Sequence, residues 1–159
     1  MRPLPYRQFS VETPLAPREV AARLREAIEP NRVFSMSPPS RPLVGTIDGT
    51  SFDVMRSVTG RNSFRPRVRG TIEPHGSGAS LTGTMQLAGV VIAFVGVYVF
   101  GAGAVFLWAA ARSVENRQLE PALLPALGVL LFLVALTFGA FAVEARRSLR
   151  VLIALVEKR

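Results

Sequence analysis

The apolar positions along the chain follow three different rules. Up to about residue 84 they are sparse and either helically spaced or alternating. From residue 87 they fuse into two long unbroken runs, and after Val143 they return to helical spacing among arginines. Pro17 to Ile28, "PREVAARLREAI", sets Val20, Leu24, Ala27 and Ile28 on one helical face. Pro17 suits the first helical position, Glu19 complements the positive end of the helix dipole, and Glu29-Pro30 ends the helix.

Residues 43–86 alternate, and their turns predict four antiparallel strands in a meander. In "TIDGTS", Asp48-Gly49 as a two-residue loop pairs Ile47 with Thr50, Gly45 with Phe52 and Leu43 with Val54. A Gly60-Arg61-Asn62 loop pairs Val58 with Phe64, Val54 with Val68 and Phe52 with Gly70. The turn "HGSG", 75–78, pairs Ile72 with Leu81, Gly70 with Gly83 and Val68 with Met85. These registers agree in placing the apolar residues of all four strands on one face, which a one-residue slip would destroy. They predict a row Gly45, Phe52, Gly70, Gly83 beneath the Pro17–Ile28 helix, with Phe52 covering its glycine neighbours. Arg65, Arg67 and Arg69 then share the opposite face with Asp53, Met55, Ser57, Thr82, Thr84 and Gln86, Asp53 standing opposite Arg69.

Leu87 to Ala111 is 25 residues without a charge, and Ala122 to Val143 is another 22. A 25-residue helix reaches roughly 37 Å, enough for a hydrocarbon layer of about 30 Å. These runs predict two membrane spans, about 87–111 and 121–143, with Pro121 opening the second. A hairpin leaves both chain ends on one side. Arg112 and Arg117 in the connecting loop are balanced by Glu115 and Glu120, whereas Arg146, Arg147, Arg150, Lys158 and Arg159 follow the second run. Both ends are therefore expected in the cytoplasm. Gly89/Ala93 and Ala135/Gly139 are small pairs that permit close helix approach. In the tail, Leu149, Leu152, Ile153 and Val156 form an apolar stripe. It suits an extension of the second helix, an interfacial helix, or a helix packed on the sheet or on the N-terminal helix, and the last is the reading preferred here.

The whole is an α+β membrane protein: a helix-plus-sheet domain at 1–84, a transmembrane hairpin at 85–143, and a basic amphipathic tail at 144–159. The chain has 159 residues, a net charge of +8 and 49% hydrophobic residues. The charge fits an anionic partner, and the apolar runs make lipid a better candidate than nucleic acid, whose basic surfaces carry interleaved aromatics absent from the arginine face. There is no cysteine, so thiol chemistry and disulfides are excluded. The first residues contain no apolar run, so no cleavable signal peptide is expected.

The stretches "LVGTIDGTSFDVMR", "RNSFRPRVRGTI" and "SLTGTMQL" together resemble a group of short bacterial membrane proteins in which an R-N-S-F-x-P-type strand motif precedes paired spans. The resemblance covers roughly residues 40–110. It implies the architecture only and no activity; with both ends expected in the cytoplasm, the expected location is a bacterial cytoplasmic membrane.

Catalytic chemistry finds no foothold. His75 is the only histidine and sits in a glycine-rich turn, so nitrogen or sulfur metal ligation lacks a second group. "HGSG" is not a nucleophile elbow, and no phosphate-binding loop occurs. Neither apolar run contains an ionisable residue. No enzyme activity, cofactor or metal is expected. The fourth strand feeds the first span, so its far end marks the membrane side, with Asp48, Glu73 and His75 at the opposite pole. Arg41, Arg56, Arg61 and Arg65, joined by Arg146 and Arg147, are the candidates for touching anionic lipid headgroups. The sequence thus suggests a membrane-tethered binding or scaffold module for a partner protein, a second copy of itself or lipid, with an accessory subunit of a membrane enzyme or transport complex as the alternative.

Overall fold

A computed structural model describes residues 5–29, 40–58 and 62–157. The element order is β1 (Tyr6–Thr13), α1 (Pro17–Ala27), β2 (Ile28–Glu29), β3 (Leu43–Asp48), β4 (Ser51–Arg56), β5 (Arg67–His75), β6 (Gly78–Gln86), α2 (Gly89–Asn116) and α3 (Leu123–Glu157). The chain forms two compact units. One comprises Met1–Ala88 with Phe141–Arg159, and the other is Gly89–Ala140.

The first unit is built on a six-stranded mixed sheet in the order β1-β6-β5-β4-β3-β2, in place of the expected four-stranded meander. The central pairings follow the predicted register: Val54 faces Val68, Phe52 faces Gly70, Ile72 faces Leu81 and Gly70 faces Gly83. Both additions are edge strands. β1 lies antiparallel to β6, with Phe9 opposite Gly83. Its inward residues Phe9, Val11 and Thr13 alternate with outward Gln8, Ser10 and Glu12, a half-buried strand pattern diluted by polar neighbours. β2 is two residues long and parallel to β3, pairing Ile28 with Leu43. Ile28, expected to end the helix, instead has extended backbone (φ −93°, ψ 126°), and the helix stops at Ala27. Ile28 is already a strand residue, paired with Leu43, and Pro30 further on bars Glu29 from the helical region.

The first hairpin is shifted by two residues from its expected pairing. Asp48 faces Ser51 and Ile47 faces Phe52, so the loop is Gly49-Thr50 with Gly49 at φ +56°. Because the shift is even, every side chain keeps its face. The row across the core becomes Ile47, Phe52, Gly70, Gly83, Phe9, and Gly45 faces Val54 instead. The β4–β5 ladder ends at Met55–Arg67, and the expected Val58–Phe64 pair does not form. Pro66 cannot donate to a ladder, and the Phe64 N–H is taken by Asn62 Oδ1 at 3.0 Å in a local turn.

Phe52 lies against Gly70, where a Cβ would meet its Cζ at 2.6 Å, and Phe9 lies against Gly83, where it would meet Cζ at 2.9 Å. Each aromatic thus covers the glycine opposite it. Val20, Ala21, Leu24 and Ala27 of α1 are buried on the same core with Leu43, Val54, Val68, Ile72, Leu81 and Met85. The last turns of α3 complete it. Phe141, Ala145, Ser148, Leu152 and Val156 are buried at helical spacing, and Thr13 Oγ1 donates to the Val156 carbonyl at 3.2 Å. The tail is therefore both a continuation of the second long helix and part of the sheet's core, so its apolar stripe is occupied by protein.

The second unit contains α2 and the first half of α3. α2 extends five residues beyond the uncharged run, to Asn116. Ser113 Oγ donates to the Ala109 carbonyl at 2.8 Å and accepts the Glu120 N–H at 2.9 Å, tying the connection to the helix end. Both helices are long and apolar enough to cross a membrane. The most apolar 18-residue stretch of α2 is 0% buried within the protein and that of α3 is 17% buried.

Candidate functional site

The sheet has one roofed face and one open face. Strand alternation places Tyr6, Gln8, Ser10, Thr82, Thr84, Gln86, Arg67, Arg69, Thr71, Ser51, Asp53, Met55 and Thr46 on the open side. At its centre the Asp53 carboxylate accepts from Arg67 Nε at 2.6 Å and from Arg69 Nε at 2.9 Å. Partial burial pushes the Asp53 carboxyl up, but hydrogen bonds and charge from both arginines outweigh this and hold it below the usual carboxylate range. The two guanidinium groups are 52% and 58% exposed, so each pair contributes only about 0–1 kcal/mol to stability. They are fixed in place without being neutralised as a pair, one carboxylate serving two cations. Thr71 Oγ1 lies 3.3 Å from Thr82 Oγ1 and donates to Glu73 Oε1 at 3.1 Å. Two shallow depressions flank Thr71, one bordered by Gln8, Ser10 and Thr84, the other by Thr46, Ser51 and Arg69. This face offers hydroxyls, amides and two fixed cations on a flat surface. It can hydrogen-bond a polar partner, and it holds no nucleophile–base pair.

The expected headgroup arginines are not one collar. Arg41 Nη1 donates to the carbonyls of Ile28 at 2.7 Å and Arg25 at 3.4 Å, closing the end of α1. Arg65 donates to the carbonyls of Asn62 at 3.2 Å and Arg56 at 3.3 Å, bracing the turn before β5. Arg56 Nη2 reaches the Glu144 carboxylate at 2.8 Å, its side chain 21% and that of Glu144 7% exposed. Arg147 meets the other oxygen of Glu144 at 3.1 Å. Arg61 lies outside the described residues. Arg146 is exposed.

Glu144 is the residue that sequence reasoning passed over. It is the first acid after 23 uncharged residues and stands beside Arg146-Arg147, a visible signal, but its partner Arg56 lies 88 positions earlier. At the acidic pole, His75 Nε2 lies 3.4 Å from Glu12 Oε1, both well exposed. No cluster of three metal-capable side chains occurs among the described residues. No protein-family profile matches the chain, and no curated protein is significantly similar to it.

Proposed function

We propose that this chain is a membrane-anchored binding module: α2 and the first half of α3 cross the cytoplasmic membrane as a hairpin, and the open sheet face receives a partner protein on the cytoplasmic side. The observation that carries the reading is the exposure of the two apolar helices, whose most apolar 18-residue stretches are 0% and 17% buried within the protein. Patches of this size on a soluble protein would drive association, and a bilayer removes them from water. The balanced loop and the arginines after Val143 support cytoplasmic ends. A partner on the sheet face is supported by the contrast between its two sides, one roofed by α1 and the α3 tail, the other bare.

The absence of native cysteine makes the test direct. Single cysteines at Ser77, in the β5–β6 turn, and at Gln118, in the connecting loop, are labelled with an impermeant maleimide. Ser77→Cys reacts in inside-out vesicles and Gln118→Cys in right-side-out ones, and both proteins stay in the pellet after carbonate extraction. Extraction by carbonate, or equal labelling on both sides, overturns the anchoring. Photo-crosslinkers at Thr46 and Gln8 then trap a partner at stoichiometric yield, and no adduct at either position overturns the binding face. If the adduct is a membrane enzyme or transporter, the module is its accessory subunit.

A further inference from the structure

The tail of α3 has two sides with different fates. Its apolar stripe, Phe141, Ala145, Ser148, Leu152 and Val156, is buried on the sheet. The opposite side is exposed over the whole length of the helix, and its composition changes abruptly. Phe132, Leu136, Gly139 and Val143 follow one another at intervals of four, three and four residues, all exposed, and Arg146 and Arg150 continue the same line after intervals of three and four. That spacing keeps all six on one helical face. The face is hydrocarbon-like to Val143 and cationic from Arg146, a change completed within about 4.5 Å of helix rise. Arg146 and Arg150 form no hydrogen bond or ion pair with any described residue, unlike Arg147, whose donor is held by Glu144.

We infer that Arg146 and Arg150 bind the phosphates of anionic phospholipid headgroups. The inference rests on the proposed membrane anchoring and adds the lipid class and the residues. Two guanidinium groups one turn apart, immediately beyond apolar surface, stand at the depth where phosphate oxygens begin, and the guanidinium fork matches that geometry. The stripe buried against the sheet bars the other arrangement, an amphipathic helix lying flat with its apolar side in lipid. The tail therefore meets the headgroups through its arginine side while its apolar side remains with the protein. This moves the lipid contact away from Arg41, Arg56 and Arg65, each of which makes at least one hydrogen bond within the fold.

The test uses the full chain in nanodiscs of phosphatidylcholine containing graded phosphatidylglycerol, with spin-labelled phosphatidylglycerol reporting lipid held at the protein. Wild type prefers phosphatidylglycerol, and the preference falls by roughly fivefold for each arginine removed in Arg146→Gln and Arg150→Gln. Raising salt shrinks it further. Arg18→Gln/Arg25→Gln, on the exposed side of α1, removes the same charge as Arg146→Gln/Arg150→Gln together and leaves the preference unchanged. A protein that resists carbonate but shows no preference, or whose α1 control loses as much as the tail variant, overturns the inference and leaves the anchoring intact. A protein extracted by carbonate overturns both. Matching melting transitions confirm that the glutamine variants are folded.

Discussion

Leu24, Leu43, Leu81 and Met85 in the sheet unit are at most 1% exposed, whereas Val90, Phe100 and Leu124 in the helical unit are 75%, 81% and 71% exposed. The same kinds of side chain point inward in one region and outward in the other. The sheet unit carries its own solvent-excluded interior, assembled from α1, six strands and the α3 tail. The helical unit has few buried side chains, Ala109, Ala126 and Thr137 among them, and must obtain the rest of its apolar contact from its surroundings. Stability in the first region therefore depends on internal packing, and in the second on the medium.

The sharpest way to break this contrast is truncation at matched residues. Leu81→Ala should destabilise the sheet unit by about 2–5 kcal/mol, the range for a fully buried leucine. Leu131→Ala, on an exposed helical site, should fall within about 0.5 kcal/mol in detergent. Denaturant unfolding of the purified chain measures both, and equal losses would remove the distinction. Next in size is Arg56→Ala, which leaves the buried Glu144 carboxylate with the exposed Arg147 as its remaining ion-pair partner. The expected loss is about 2–3 kcal/mol, below the ~3–5 kcal/mol of a fully buried pair because part of Arg56 reaches solvent. The double variant Arg56→Ala/Glu144→Gln should recover much of that loss, a coupling read from the double-mutant cycle. Ser148→Ala should stabilise by about 0.5–1 kcal/mol, since Ser148 Oγ is buried with no hydrogen-bond partner among the described residues and alanine is the better helix former. A melt showing a loss would mean that the hydroxyl is satisfied.

The smallest effect is pH-dependent. Asp53 has its carboxyl pKa lowered in the fold, so its contribution is full above the unfolded value of about 4 and is lost as pH falls through the lowered folded value. Asp53→Asn should cost at most about 1 kcal/mol at pH 7. The difference from wild type should close below pH 4, and a gap that persists there would exclude the ion pairs as its source.

How much of this was legible follows from the distance over which each element finds its partner. The β5–β6 ladder was read to the residue because "HGSG" fixes it locally. The first hairpin was read with the correct faces and the wrong register, because Asp48-Gly49 can be either the centre of a two-residue loop or straddle its start. β1 was missed altogether. Its alternation is visible, but its partner lies some 70 positions on, and a strand at a sheet edge needs only one apolar side. The arginines show the same limit. Arg69 was placed opposite Asp53 by register, with Arg67 only on the same face, while the engagement of Arg56 by Glu144 depends on a helix that returns from beyond both apolar runs.

That return determines when the sheet unit can close. Thr13 finds its acceptor on Val156, 143 positions later, and the stripe from Phe141 to Val156 fills the side of the core that α1 leaves open. On the ribosome, the first 88 residues emerge with that side still bare and remain so while both hydrophobic helices are synthesised. Maturation of the sheet thus waits on delivery of the final helix turns, so a chain stalled or cut after α2 would display an unsealed interior to chaperones and proteases.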